Sequence, residues 1–245
     1  MAQVSLLRED VELDAPVLVE GLPGVGLVGK IAADHLVESY DMPAMATIDC
    51  EGIPEVAVYR EGERAVEHPV RIHVDAERDL LVLQSDVPIS PRAADEFAAH
   101  VTEWIVDRDA TPIYLSGRPA EKDGVPALSG IATGDGEGLL EDADVDPPDD
   151  DGAVSGPTGA LLHEADRAGL GAVGLIVEAD AQFPDPESAR ILLRDGIAPI
   201  AGIGIDTDRL VEQAEEISRA KERLAQQMQQ ADEASTRAGP LGMYQ

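Results

Sequence analysis

The chain has 245 residues, with 49 Asp plus Glu against 18 Lys plus Arg, for a formal net charge of −31. A field of that sign repels phosphate backbones and anionic lipid heads, which argues against nucleic acid and membrane surfaces as partners. Apolar residues make up 44%, enough for a core, and the length fits one large domain or one domain plus a helical extension.

No run approaches the roughly 18 apolar residues of a membrane span. The opening MAQVSLLREDVELD carries acids where a secretory signal carries basic and apolar regions. Cys50 is the only cysteine, so an intrachain disulfide and a cysteine-built zinc site are excluded. These features lead us to expect a soluble, cytoplasmic protein. Three of the 18 bases are lysine (Lys30, Lys122, Lys221) and the rest arginine. Abundant carboxylates with little lysine suit a surface bathed in concentrated salt, where the Debye length falls to about 3 Å at 1 M. The expected source is a salt-accumulating halophile.

The first predicted element is a short buried strand, PVLVE at 16–20. The glycine-rich GLPGVGLVG follows, then a helix over Lys30–Tyr40. Strand, glycine loop and helix open an α/β unit. Further strands are expected at Ala44–Ile48, Pro54–Tyr59, Val70–Val74, Leu80–Gln84 and Pro112–Leu115. The alternation in VRIHV predicts a half-buried strand there. Pro91 opens a helix through Phe97 and Trp104 to about Arg108, with Ser90 as its cap. Residues 116–157 are rich in Gly, Pro and Asp, and Asp135–Asp151 holds nine acids and no base. That stretch reads as a mobile acidic surface loop.

Order returns with a helix over Ala160–Ala168 and a strand over Ala172–Val177. Phe183-Pro184-Asp185-Pro186 is a turn, and Glu187–Asp195 a helix ended by Gly196. Three segments result: an α/β domain over 1–206, a helix over 207–236 and a flexible tail over 237–245. Asp206 or Thr207 can cap the helix. Leu210, Ile217 and Leu224 recur every seven residues, the narrow spacing of a coiled-coil seam.

Several motifs carry chemistry. Gly24, Gly26, Gly29 and Lys30 match both G-x-x-x-x-G-K and, for the glycines, G-x-G-x-x-G. Ile31 stands where a phosphate-binding loop needs Ser or Thr for Mg²⁺. A tight strand-to-helix turn is the favoured reading of this loop, with a nucleotide site as the alternative. Gly156–Gly159 precedes the helix from Ala160, whose N-terminus could hold an anion, and a turn capped by Thr158 is favoured instead. Ser85, Asp86 and His100 could be drawn as a hydrolase triad, but they suit loop and cap roles better. Cys50 reads as a small buried apolar residue. None of the five histidines is spaced from another as metal ligands on one helix, and no metal or cofactor is expected. The final Met243-Tyr244-Gln245 places a hydrophobe, an aromatic and a carboxylate behind a Gly-Pro linker. Such handles suit a partner's pocket.

Two stretches carry a family likeness. EGLPGVGLVGKIAADHL (Glu20–Leu36) resembles the opening of the archaeal proteasome assembly chaperone family. GPTGALLHEADRAGLGAVGLIVEAD (Gly156–Asp180), followed by Phe183-Pro184-Asp185-Pro186, is similar to that family's second signature. The likeness spans about Pro16–Gly204, and the ending is similar to tailed members. It implies a three-layer α/β/α sandwich resembling nucleoside phosphorylases, with a C-terminal amphipathic helix and tail. It also implies a homo-oligomer without a known active site, whose hydrophobe–Tyr–any-residue ends dock between α-subunits of the 20S proteasome. By position these are Met243, Tyr244 and Gln245. The leading expectation is an ATP-independent proteasome-binding chaperone or activator, not an enzyme. The alternative is a phosphorylase-like enzyme or nucleotide-binding protein using the Gly24–Lys30 loop.

Overall fold

A computed structural model describes residues 3–8, 10–62, 64–121, 124–217 and 219. The elements in chain order are β1 (Gln3–Leu6), β2 (Val17–Gly21), α1 (Val28–Ser39), β3 (Ala44–Asp49), β4 (Val58–Tyr59), β5 (Val66–Glu67), β6 (Val70–Asp75) and β7 (Leu80–Ser85). There follow α2 (Ala94–Val106), β8 (Thr111–Pro119), β9 (Leu128–Thr133), α3 (Glu137–Asp142), α4 (Gly156–Ala168), β10 (Ala172–Ala179) and α5 (Pro186–Ile191). α5 runs on through a π turn at Leu192–Ile197 and closes as α6 (Ala198–Ala201). Residues 208–217 are also helical.

Eight strands form one sheet in the order β1-β3-β6-β7-β2-β8-β10-β9, and β4 and β5 form a separate two-stranded hairpin. The central strands β7, β2, β8 and β10 are parallel neighbours. Antiparallel pairings bring in β6, β3 and β1 on one side and β9 on the other. Strand side chains alternate between faces, and each face of the sheet builds its own core. Leu18, Ile72, Leu81 and Leu83 pack with Phe97 of α2 and Leu161 of α4. Val19, Leu80, Val82 and Leu175 pack with Leu36 of α1, Ile191 of α5 and Leu210. The result is a large mixed sheet between two helical layers. Each fully buried Leu, Ile or Phe contributes about 1.5–3 kcal/mol by leaving water.

Several sequence expectations are corrected. β6 is buried along its whole length, not half-buried. Its apolar residues Val70, Ile72 and Val74 face one core, while Arg71 and His73 are buried on the opposite side. Pro54–Tyr59 contributes only the two residues of β4. The acidic stretch 135–151 contains α3, whose Leu140 is buried. Gly130 meets Leu140 with no room for a Cβ, and its N–H donates to the Asp146 carbonyl (2.8 Å). Leu140 therefore ties this segment to β9. α2 begins at Ala94 without a side-chain cap, so Ser90 does not cap it. The helix after Pro186 passes through Gly196 instead of stopping there, because the bare Gly196 backbone packs on Leu175, which a Cβ would meet at 2.6 Å. Gly202, at φ +65, is the residue that closes it.

Candidate functional site

The chain leaves β2 through α1 on one face of the sheet and leaves β7 through α2 on the other. Ligands of open α/β sheets lie in the crevice at such a switch point, beyond the carboxyl ends of the strands. The glycine loop, Lys30 and Asp86 all sit there.

The loop closes on its own protein. Gly26 (φ +61) has Ala179, Asp180 and Asp185 so close that an added Cβ would lie 3.1–3.2 Å from them. Its carbonyl accepts the Asp185 N–H at 2.8 Å. Gly21 faces Ala33 of α1, where a Cβ would lie 2.0 Å from the Ala33 Cβ. On β8, Gly117 leaves space for the Val25 carbonyl, which a Cβ would meet at 2.6 Å. These glycines let strand, loop and helix touch backbone to backbone.

The lysine is also engaged within the fold. Lys30 Nζ donates to Asp34 Oδ1 (2.8 Å) and lies 3.2 Å from Asp86 Oδ1. Asp86 Oδ2 accepts from Arg60 (2.7 Å) and from Arg71 (2.8 Å). Arg60 and Arg71 both donate to Glu67 Oε2, at 2.8 and 2.6 Å. Gln84 accepts from Arg71 (2.8 Å) and donates to Asp34 (2.5 Å). Three cations and three carboxylates thus neutralise one another around Asp86. Burial alone would push the Asp86 carboxyl up. The Arg60 hydrogen bond and the charges of Lys30 and Arg71 outweigh it and hold Asp86 below its ordinary value. His73 Nδ1 faces the Met42 carbonyl (2.9 Å), and burial holds this imidazole below its usual range.

A second carboxylate lies on the other face. Glu20 is completely buried. It accepts the backbone N–H groups of Leu22 (3.1 Å) and Leu115 (2.9 Å) and the Thr158 hydroxyl (3.1 Å). Desolvation pushes its pKa up to about 7 against those three hydrogen bonds. α4 begins at Gly156, so Thr158 lies inside its first turn and is not its cap. Glu20 thus supplies a carboxyl group to the helix end where the sequence offered an anion site as the less favoured alternative to a Thr158 cap. Both phosphate-like motifs already hold carboxylates of the chain itself.

The drawn triad does not come together. The Ser85 hydroxyl donates to the Val87 carbonyl (2.6 Å), Asp86 belongs to the cation network, and His100 Nδ1 bonds the Glu96 carbonyl (2.8 Å). Cys50 is buried, and burial raises its thiol pKa, which disfavours the thiolate. Leu210 is 1% exposed within its own domain's core, so it is withdrawn from the expected seam. Ile217 is half-buried. Leu224, Met243, Tyr244 and Gln245, with most of the expected helix and tail, lie outside the described residues. Sequence reasoning missed the Arg60, Glu67, Arg71 and Gln84 contributions. The signal for Arg71 and Gln84 was polar residues inside the buried strands VRIHVD and LLVLQS, whereas Arg60 and Glu67 lie outside those strands and carried no such signal.

The architecture is that of a mixed α/β protein with helices on both faces of one sheet, whose signature glycines pack the fold. The chain belongs to the PAC2 family, whose pattern matches residues 18–225. PbaA of Pyrococcus furiosus, described as an archaeal homolog of proteasome-assembly chaperone, superposes with a TM-score of 0.79 at 27% identity, covering 96% of each chain. PbaB of the same organism, described as an archaeal proteasome activator, has the same fold, with a TM-score of 0.78 at 23% identity over 91% of this chain and 98% of its own. An uncharacterised protein of Methanocaldococcus jannaschii is 28% identical over 222 residues, 90% of each chain. No helix among the described residues is long and apolar enough to cross a membrane.

Proposed function

We propose that this protein is an ATP-independent, proteasome-binding chaperone or activator that acts by docking, without chemistry of its own. The observation that carries the reading is the PAC2 match over residues 18–225, together with likeness to PbaA along 96% of both chains. In this reading Met243, Tyr244 and Gln245 enter pockets between α-subunits of the 20S proteasome. Tyr244 anchors through its ring, Met243 fills apolar space beside it, and Gln245 supplies the carboxylate. One short tail binds weakly. A homo-oligomer presenting several gains about 10²–10⁴ in affinity through effective concentration. Ile217 and Leu224 remain as seam residues that would gather the helices. The acidic surface fits a cytoplasm rich in salt.

The test is capture of 20S α-subunits in molar KCl by the full chain and by a version lacking Met243–Gln245. Tail docking requires capture to fall sharply without those residues, and Tyr244→Ala to weaken it by at least about tenfold, the loss of a buried aromatic anchor. Equal capture by the shortened chain overturns it.

A further inference from the structure

In a chain where acids outnumber bases 49 to 18, three bases converge on one carboxylate. Lys30 comes from α1, Arg60 from just after β4 and Arg71 from β6, and they meet at Asp86, just after β7. Asp86 Oδ2 accepts from Arg60 at 2.7 Å and from Arg71 at 2.8 Å, and Oδ1 lies 3.2 Å from Lys30 Nζ. Both oxygens are held by cations, the charge-assisted pattern by which proteins bind free carboxylates. The other charges in contact with these bases are Asp34, paired with Lys30, and Glu67, paired with both arginines. Three positive charges therefore face two negative ones, and one is left for Asp86 to compensate. The Asp86 side chain is 12% exposed, so the cluster reaches the surface.

We propose that Lys30, Arg60 and Arg71 form a receptor for the carboxylate of a small molecule, and that Asp86 is its intrachain occupant, an autoinhibitory contact. The place is the crevice beyond the carboxyl ends of β2 and β7, where open α/β sheets bind ligands. The chemistry is a clamp, with two guanidinium groups on one oxygen and an ammonium on the other. A buried cation without a counter-charge is costly, so these bases require an anion, and Asp86 supplies it from within the chain. An outside carboxylate competes with a tethered one at high effective concentration, which keeps the wild-type site closed to it. Arg60 is carried by a hairpin that forms a sheet of its own, so one arm of the clamp lies outside the main hydrogen-bonded ladder. The site is separate from the tail and does not depend on a proteasome.

The experiment removes the occupant and offers formate, the smallest carboxylate. The full chain is melted in potassium chloride and in potassium formate at equal concentrations. Asp86→Ala should melt several degrees higher in formate than in chloride, beyond the general salt response that the wild type records. The gain should grow with the logarithm of formate concentration, as one-site binding requires. Adding Lys30→Met to Asp86→Ala should raise the formate needed for the same gain at least about tenfold, the loss of one charged hydrogen bond. Asp86→Ser leaves similar space with a hydroxyl for the arginines and covers the case in which alanine disturbs folding. A wild type that gains as much as the Asp86 variants overturns the proposal. So do Asp86→Ala and Asp86→Ser proteins that gain nothing beyond the wild type, or that both stay unfolded in formate.

Discussion

Glu20 and Thr158 stand 138 residues apart in the chain and are joined by a 3.1 Å hydrogen bond at the carboxyl end of β2. The bond ties the central strand to the first turn of α4, and Glu20 fastens β8 as well through the Leu115 N–H. One buried carboxyl thereby links three elements drawn from distant parts of the sequence.

That carboxyl makes stability depend on pH in a defined direction. Its folded pKa, about 7, lies above the ordinary value of 4.5. Between those values the folded chain keeps a proton that the unfolded chain has released. The stability Glu20 contributes is complete below about pH 4.5 and is lost as pH rises through about 7. In urea titrations at constant high salt, the wild type should lose about 3 kcal/mol relative to Glu20→Gln over that range. Parallel pH profiles for the two proteins would contradict the assignment.

Asp86 should behave in the opposite sense, because its cationic neighbours hold its pKa below 3.8. Its contribution is present above that value and is lost as pH falls through the lower folded one. Asp86→Asn leaves Arg71, only 3% exposed, short of a carboxylate partner. Arg71 keeps Glu67 and Gln84, so the cost should fall below that of a buried charge left with no partner, at about 1–3 kcal/mol. Chemical denaturation of Asp86→Asn at pH 7 checks this, and a loss under 1 kcal/mol, the range of an exposed surface pair, would show that the network contributes little.

The glycine loop offers a contrast between two neighbours. An added Cβ at Gly21 would lie 2.9 Å from the Gly29 carbonyl and closer still to Ala33, whereas at Gly24 it would meet nothing within 4 Å. Gly21→Ala should destabilise by at least about 1–3 kcal/mol, the usual range for overpacking, and Gly24→Ala should change little. Thermal melts of both variants measure this. Equal damage at both positions would mean that the loop is constrained by something other than packing.

Salt dependence follows from composition. With −31 spread over 245 residues, self-repulsion opposes the compact state in dilute buffer and is screened in concentrated salt. The melting temperature should rise by several degrees between dilute buffer and molar KCl. A melting temperature independent of KCl would remove the basis for a halophilic reading.

Much of the central framework was legible in the chain. PVLVE, LLVLQ and AVGLIV are runs long enough only for buried strands, and they became β2, β7 and β10. The errors have physical causes. Gly196 looked like a helix stop because glycine favours the left-handed end of a helix, yet Leu175 presses on its bare backbone and the helix passes through. The acidic 135–151 stretch looked unstructured because charge masked the one anchor, Leu140, whose burial needs β9 alongside. Thr158 looked like a cap, whereas its hydroxyl points to a carboxylate that no local window contains.

By itself the sequence determined the class of fold, the acidic surface and the family likeness, because periodicity, charge and glycine spacing are local properties of a chain. The partners of its ionised groups were decided only in three dimensions. Lys30 and Asp86 lie in distant segments, as do Glu20 and Thr158, and nothing in either stretch encodes the other. They meet because a buried charge must find compensation among whatever side chains the packed sheet and helices bring within hydrogen-bond reach.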